Sequence, residues 1–268
     1  MNLKNCRVLI TGASGGIGLH VAKKLAQRGA RLGLVALRQD ALLEQQAALK
    51  AAGYTDVHAI SADLTSANGR HRAVDAVRNA LGGIDLLINN AGVVDFHDFS
   101  DQDPAMIERI YQINLIAPIQ MTREVLPEML AQGSGKIVNV GSTFGSIGFA
   151  YFSAYSGSKF GLRGFSESLR REIDGSGVDV CYAAPRAVKT AANSDAVYDM
   201  AAATHMNMDE PEAVAHFIIE SIIKDKSNAY YGWPEKLFVR INALLPGLVD
   251  AALRKQNRVM ARFAPKKA

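Results

Sequence analysis

Tyr155 and Lys159, in the stretch AYSGSK, stand four residues apart, the spacing at which two side chains share one face of a helix. A phenol titrates near 10 and is a poor acid–base group at neutral pH. An ammonium beside it favours the phenolate and lowers its pKa. Moving it from about 10 to about 7 takes roughly 4 kcal/mol of differential stabilisation, more than one exposed ion pair supplies. A second positive charge, such as an oxidised nicotinamide ring, in a partly desolvated site would complete the shift. The phenol then becomes a usable proton donor and acceptor. Ser142 ends the strand-like run KIVNVGS that precedes this helix.

A second constellation lies near the N-terminus. In TGASGGIG (11–18), Gly12, Gly16 and Gly18 fall where a strand hands over to a helix. A missing Cβ there makes room for a tight turn, a nearby pyrophosphate and close helix–strand packing. The helix N-terminus offers unpaired N–H groups to a phosphate. Gly12, Ser14, Gly16, Ile17 and Gly18 are therefore expected to cradle a dinucleotide. Asp63 closes a later strand, where its carboxylate could accept a hydrogen bond from an adenine amino group, with Leu64 beside it. Asn89, Asn90, Ala91 and Gly92 end another strand, where ligands meet an open parallel sheet. Asp63 could instead cap a helix, and Asn90 could bond backbone to hold the sheet.

These residues need elements to position them. RVLITG (7–12), RLGLVAL (31–37), VHAISADL (57–64), IDLLINNAG (84–92), KIVNVGS (136–142) and VDVCYAAP (178–185) read as apolar strands, with a seventh around 229–233. Helices are expected over 17–28, 40–52, 67–81, a long segment through Asn114 to Leu130, and 153–173. Near-continuous apolar strands separated by helices imply α/β architecture, a parallel sheet covered on both faces. Nothing divides the chain. The expectation is one domain, with its catalytic body over 1–235, a substrate lid at about 186–210, and an apolar then basic extension over 236–268.

Composition narrows the function. The chain has 268 residues, 49% of them apolar and 21% charged, ordinary for a globular protein. Its net charge of +4 belongs to the tail. Arg254, Lys255, Arg258, Arg262, Lys266 and Lys267 give +6 over 254–268, leaving about −2 on the rest, so no nucleic-acid surface is indicated. Cys6 and Cys181 have no partner spacing and suit a reducing, cytoplasmic setting. His20, His58, His71, His97, His205 and His216 show no metal pattern. Neither a secretory signal nor a membrane-spanning run is read.

Taken together, TGASGGIG, NNAG, Asn114, Ser142, YSGSK and PRAVKT occur in order over nearly the whole chain, and the sequence resembles the short-chain dehydrogenase/reductase family. The resemblance implies a Rossmann-type, doubly wound sheet of about seven strands, and nicotinamide-dependent hydride transfer between alcohol and carbonyl. It implies Tyr155 as proton donor or acceptor and Lys159 as the group that lowers its pKa and bonds the nicotinamide ribose. By the same likeness Ser142 holds the substrate oxygen and Asn114 holds a water in a proton relay. Val188 and Thr190 would contact the cofactor. A homodimer or homotetramer is implied as well. Two positions depart from the pattern: Arg186 stands where the family usually has glycine, and Ala150 where proline is common. Arg186 could narrow the pocket or reach an acidic group.

An acidic residue at the end of the second strand would favour NAD. Here Ala36 and Leu37 stand near that place and Arg38 just beyond, which favours a 2′-phosphate and NADP(H); NAD(H) is the alternative. The lid carries Val197, Tyr198, Met200, Met206 and Met208, and Phe96, Phe144 and Phe149 fall in other loops, so an apolar substrate is expected. Ser142, Phe144, Phe149 and Arg186 are the candidate substrate contacts. The extension, broken by Arg240, Asn242, Pro246 and Asp250, is expected to wall the pocket or make a subunit contact. Peripheral contact with an anionic membrane is the other reading. The expected activity is NADPH-dependent reduction of a ketone or aldehyde on a hydrophobic substrate. An NAD-dependent alcohol dehydrogenase of the same family, or a nucleotide-binding regulatory protein without turnover, stands as the alternative.

Overall fold

Side chains alternate between the two faces of a strand, and in this chain the alternation sorts the apolar ones into two cores. In the first strand Val8 and Ile10 join one core and Leu9 the other. In the second, Leu32 and Leu34 lie opposite Val35. With both faces covered, polar positions disappear from the strands, which is why they read as apolar runs.

The computed structural model describes residues 1–265, so Lys266 and Lys267 of the basic tail lie outside the described residues. Along the chain come β1 (Arg7–Thr11), α1 (Gly16–Ala26), β2 (Arg31–Ala36), α2 (Gln39–Ala51), β3 (Val57–Ser61), α3 (Ala67–Leu81) and β4 (Leu86–Asn89). Then follow α4 (Pro104–Tyr111), α5 (Ala117–Gln132), β5 (Gly135–Val140), α6 (Ser153–Glu172), β6 (Val178–Ala184), α7 (Asp195–Ala203), α8 (Pro211–Ile223) and β7 (Asn228–Tyr230). Two helices end the described chain, α9 (Glu235–Leu244) and α10 (Pro246–Met260).

The strands form one sheet in the order β3-β2-β1-β4-β5-β6-β7, every pair parallel. Helices α1, α2 and α8 close one face and α3, α5 and α6 the other. This is the single-domain, doubly wound Rossmann-type sheet expected. The chain moves outward from β1 to β3 and returns to place β4 beside β1. The loops leaving those two strands diverge, and the crevice between them is where such sheets bind ligands.

The expected long helix through Asn114 is interrupted. Between α4 and α5, residues Gln112–Ile116 form a π-helical turn. The cause is Pro118, which has no N–H to give the carbonyl four residues back, that of Asn114. The ladder shifts instead, and Ala117 N–H bonds the Gln112 carbonyl, five residues back.

Candidate active site

The glycine loop joins β1 to α1 across the switch point. Gly12 has φ +64°, and a Cβ there would lie 2.7 Å from Ala91 Cα; one at Gly18 would lie 2.1 Å from the Gly12 carbonyl oxygen. Only glycine fits either place. Thr11 Oγ1 accepts from the Asn90 and Ala91 N–H groups (3.0 and 3.1 Å), and Asn90 Nδ2 donates to the carbonyls of Thr11 and Gly12 (3.1 and 3.2 Å). The end of β4 is thereby locked to the loop. Asn90 thus bonds backbone and lines the cleft at once.

The cleft, about 400 Å³, runs from this loop to Ser142, Tyr155 and Lys159. Gly12, Ser14, Gly16, Ile17, Arg38, Asn90, Ala91, Gly92, Val188 and Thr190 line one end of it, and Gly18 packs behind them. Helix α1 begins without a capping side chain, which leaves its first N–H groups toward that end. A Cβ at Gly15 would meet nothing within 4 Å. An open, glycine-floored cradle at a helix N-terminus fits a pyrophosphate.

Asp63 and Leu64 are not among the lining residues. Asp63 Oδ1 accepts from the N–H and hydroxyl of Thr65 (2.9 and 2.7 Å), and these bonds hold its carboxyl below the usual carboxylate range. It is not the cap of α3 either, since Ser66 Oγ accepts from Gly69 N–H there. Leu64 is buried beside the second core.

At the other end of the cleft, Ser142, Tyr155 and Lys159 come together. Ser142 ends the extended backbone beyond β5, and its Oγ accepts from Phe144 N–H at 3.1 Å. Tyr155 and Lys159 sit one turn apart on α6, as their spacing requires. Burial, rather than Lys159, sets the protein's own contribution to the phenol. Tyr155 is half-buried, and desolvation by its surroundings, Phe144 edge-on at 6.2 Å among them, raises the phenol above its ordinary value; the Ser142 hydroxyl offsets this in part. Lys159 does not lower it. Its Nζ donates to the Val140 carbonyl at 2.9 Å, stands 5.8 Å from the Tyr155 ring centre, and is itself pushed down to about 8 by burial. The protein alone therefore holds Tyr155 as the neutral phenol.

Asn114 is fully buried in the π-helical turn. Its Oδ1 accepts from Val93 N–H (2.9 Å), and its Nδ2 donates to the Val93 carbonyl (2.8 Å) and Ser158 Oγ (3.2 Å). Ser158 in turn donates to the Tyr155 carbonyl. The side chain so ties the loop after β4 to the catalytic helix.

The substrate side is apolar. Val94, Phe144, Phe152, Val197, Met200, Met206 and Met208 face the cleft. Phe149 stacks on Phe144 from behind (4.3 Å between ring centres), and Phe96 stacks on Phe152, so both expected aromatics support the wall without lining it. Tyr198 turns to the Thr190 carbonyl instead. Met260 and Ala264, from α10 and the turn after it, share a cluster with Val197 and Met200, so the extension packs behind this wall without lining the cleft.

Arg186 lines the cleft but its donors are taken. Nε and Nη2 bond the Asp209 carboxylate (2.7 and 2.9 Å), and Nη1 reaches Glu235 (3.1 Å) and the Trp233 carbonyl (3.3 Å). These carboxylates hold its pKa above the ordinary arginine value. The acidic groups it reaches belong to the protein, and that argues against a substrate contact.

One participant has no counterpart in the sequence expectation. Tyr182, buried on β6, accepts from Ser142 N–H (3.2 Å), and its hydroxyl lies 3.1 and 3.4 Å from the carbonyls of Ser142 and Lys159. Its ring occupies the space where Gly141 and Gly145 lack a Cβ. A tyrosine in an apolar strand three residues before Pro185 was the available signal. Val94 and Phe152 were also passed over; Phe152 closes the aromatic run FAYF.

Comparison with known proteins decides the family. A model described as short chain dehydrogenase matches residues 7–201. The chain belongs to the short-chain dehydrogenases. Among curated members, it is 33% identical over 255 residues to "Ketoacyl reductase HetN" of Nostoc sp., covering 92% of this chain and 88% of that one. It is 31% identical over 244 residues to "Epidermal retinol dehydrogenase 2" of Mus musculus, covering 89% and 78%. Among solved structures, a short-chain dehydrogenase from Burkholderia phymatum, in complex with NAD, superimposes with a TM-score of 0.84 at 23% identity over 93% of this chain and 96% of that one. As a short-chain dehydrogenase, the protein is an oxidoreductase acting on carbonyl or hydroxyl groups with NAD(P)(H). The glycine cradle, Tyr155, Lys159, Val188 and Thr190 are the residues that fit that cofactor.

Proposed function

We propose that the protein is an NADPH-dependent reductase of a ketone or aldehyde carried on a hydrophobic molecule. The observation that carries the reading is the neutral Tyr155 phenol beside Ser142 at the end of an apolar cleft. A neutral phenol is the form that can give a proton to a carbonyl oxygen, and the apolar cleft suits a hydrophobic carbonyl compound.

When bound, the nicotinamide supplies the hydride. The chain's residues do the rest. Ser142 Oγ and Tyr155 Oη hold the carbonyl oxygen, and Tyr155 delivers the proton to it as charge develops there. Lys159 bonds the ribose and, charged below about pH 8, steadies the phenolate left behind. Asn114 keeps the Val93 loop and α6 in register, and a water at this turn would return the proton to Tyr155. Phe144, Phe152 and the lid residues Val197 and Met200 exclude bulk water and orient the substrate.

Arg38 supports NADP(H). It lines the cleft just past β2, is exposed, and has no acid within ion-pair distance among the described residues, while Ala36 leaves no carboxylate at the strand end. A guanidinium so placed suits a 2′-phosphate. Asp63 Oδ2 is left free by the Thr65 bonds, which both fall on Oδ1, and remains an acceptor for an adenine amino group. Relatives named for ketoacyl and retinol substrates are consistent with an apolar carbonyl or alcohol. The partners in this reading are that small molecule, one or three further copies of the chain, and a membrane touched peripherally through the C-terminal extension. Parallel titrations with NADPH and NADH test the cofactor assignment. Wild-type protein is expected to bind NADPH at least tenfold more tightly, and Arg38→Asp to abolish the difference. Tighter binding of NADH by the wild type would overturn it in favour of dehydrogenation.

A further inference from the structure

Helices α9 and α10 form a hairpin whose inner side is built into the protein and whose outer side is not. Inward, Val239 and Val249 are buried with Ile147 under Phe149, and Met260 packs on the lid cluster. Outward, the hairpin exposes large apolar side chains to a degree unmatched elsewhere on the described surface. Leu244 is 81% exposed, Trp233 70%, Leu248 60% and Leu245 59%, with Leu237 and Phe238 also exposed. Leu237 and Leu244 fall two turns apart on α9, with Trp233 in the turn before it, and Leu244, Leu245 and Leu248 gather at the bend between the helices. Single exposed leucines need no explanation; a cluster of this kind does.

The surrounding charge says what covers it. Lys236, Arg240, Arg254, Lys255, Arg258 and Arg262 are exposed on the same two helices and the turn after them, and none has an acid within ion-pair distance among the described residues. The acids there are Asp250 and Glu235, and Glu235 is held by Arg186. A second copy of the chain laid symmetrically on this face would bring like charges together. A surface of negative headgroups over an apolar layer complements both features at once, with leucines entering the acyl boundary, Trp233 at the interface and cations on the phosphates.

We infer that the outer face of the α9–α10 hairpin docks on anionic lipid. This deepens the membrane contact in the reading above and rests on it, naming the lipid class and the residues. The docked hairpin backs directly on the apolar end of the cleft through Phe149, Phe144 and the lid cluster, so a lipid-soluble carbonyl compound would be presented where it partitions.

The test is co-sedimentation of the full chain with phosphatidylcholine vesicles, with and without phosphatidylglycerol, at low and high salt. No cofactor or substrate is needed, so its failure is separate from failure of the reductase reading. Wild-type protein is expected to pellet with the phosphatidylglycerol vesicles and to be released by high salt. Replacing Arg254, Lys255 and Arg258 by Gln should weaken binding on the order of 100-fold, about fivefold per cation. Replacing Leu244, Leu245 and Leu248 by Ser should abolish it while leaving the fold and turnover of a water-soluble ketone intact, because these side chains touch little of the protein. Protein that stays in the supernatant with both vesicle types overturns the inference. So does a stable dimer that the leucine substitutions dissociate, which would make the face a subunit contact.

Discussion

Tyr155 and Lys159 are each moved by burial toward the neutral form, and that has a measurable consequence. The Lys159 pKa is depressed to about 8 from 10.5, so between those values the unfolded chain holds a proton that the folded chain does not. The charged group therefore costs stability below about pH 8, by roughly 3 kcal/mol, and the cost fades as pH rises toward the unfolded value. Lys159→Met should raise the stability at pH 7 by about 1–3 kcal/mol while abolishing turnover, and the gain should shrink by pH 10. Denaturant melts at the two pH values check this; a variant less stable than wild type at pH 7 would contradict it. Tyr182 carries a second prediction at this scale. A Cβ at Gly141 would lie 2.1 Å from its ring, and its hydroxyl braces Ser142. Gly141→Ala should destabilise by about 2 kcal/mol or more, and Tyr182→Val should relieve most of that in the double variant. Tyr182→Phe should lower kcat about tenfold at nearly constant KM, since only the hydroxyl's contacts with Ser142 and the Lys159 carbonyl are lost. Additive melts in the cycle would mean the glycine and the ring are not coupled.

At the scale of elements, Arg186 links three segments: the start of the lid, Asp209 at its far end, and Glu235 in the first turn of α9. The lid ends also pair through the Val188–Asp209 bridge, with Lys189 N–H on the Asp209 carbonyl and Asp209 N–H on that of Ala187. Arg186→Ala removes charge-assisted bonds worth roughly 1.5–3 kcal/mol each and strands two carboxylates. Faster proteolysis within residues 186–210 and a KM raised several-fold, with kcat less affected, are expected. Unchanged proteolysis would show that the lid does not depend on the clamp. The strands and most helix limits were legible in the sequence within two or three residues, because short continuous apolar runs and glycine stops are local signals. The π-helical turn was not, since Pro118 alone could equally start a new helix. Helix α8 is absent from the sequence expectation, although Pro211 at its start and the apolar spacing in EAVAHFIIESII announce it. Asp63 shows a different limit: nothing in the sequence signalled that Thr65 would take one of its carboxylate oxygens.

For the whole molecule, the division of labour follows the switch point. The cofactor end of the cleft is built from the ends of β1 and β4 and the start of α1, with Arg38, Val188 and Thr190 added from the loops after β2 and β6. Ser142, Tyr155 and Lys159 come from beyond β5 and from α6, and the apolar wall from Val94, Phe144, Phe152 and residues 197–208. Motif order along the chain was enough to assemble the first two groups, because each motif sits at a strand end and the parallel sheet brings all strand ends to one edge. The wall was less legible, since which aromatic faces the cleft depends on stacking between distant loops, as with Phe96 against Phe152. Among the described residues no helix is long and apolar enough to cross a membrane. The uneven charge is also a whole-molecule property: it gathers at the hairpin and leaves the cleft edge with Arg38.

The central claim is that Tyr155 passes the proton to a carbonyl oxygen on an apolar substrate. Single-turnover reduction of a hydrophobic aryl ketone with NADPH, by wild type and by Tyr155→Phe, tests it directly when NADPH binding is measured on the same samples. The account predicts that Tyr155→Phe binds NADPH within about threefold of wild type and reduces the ketone about 10²–10⁴ times more slowly. Reduction at the wild-type rate by a variant that still binds NADPH would contradict it, and would move the proton to another group in the cleft.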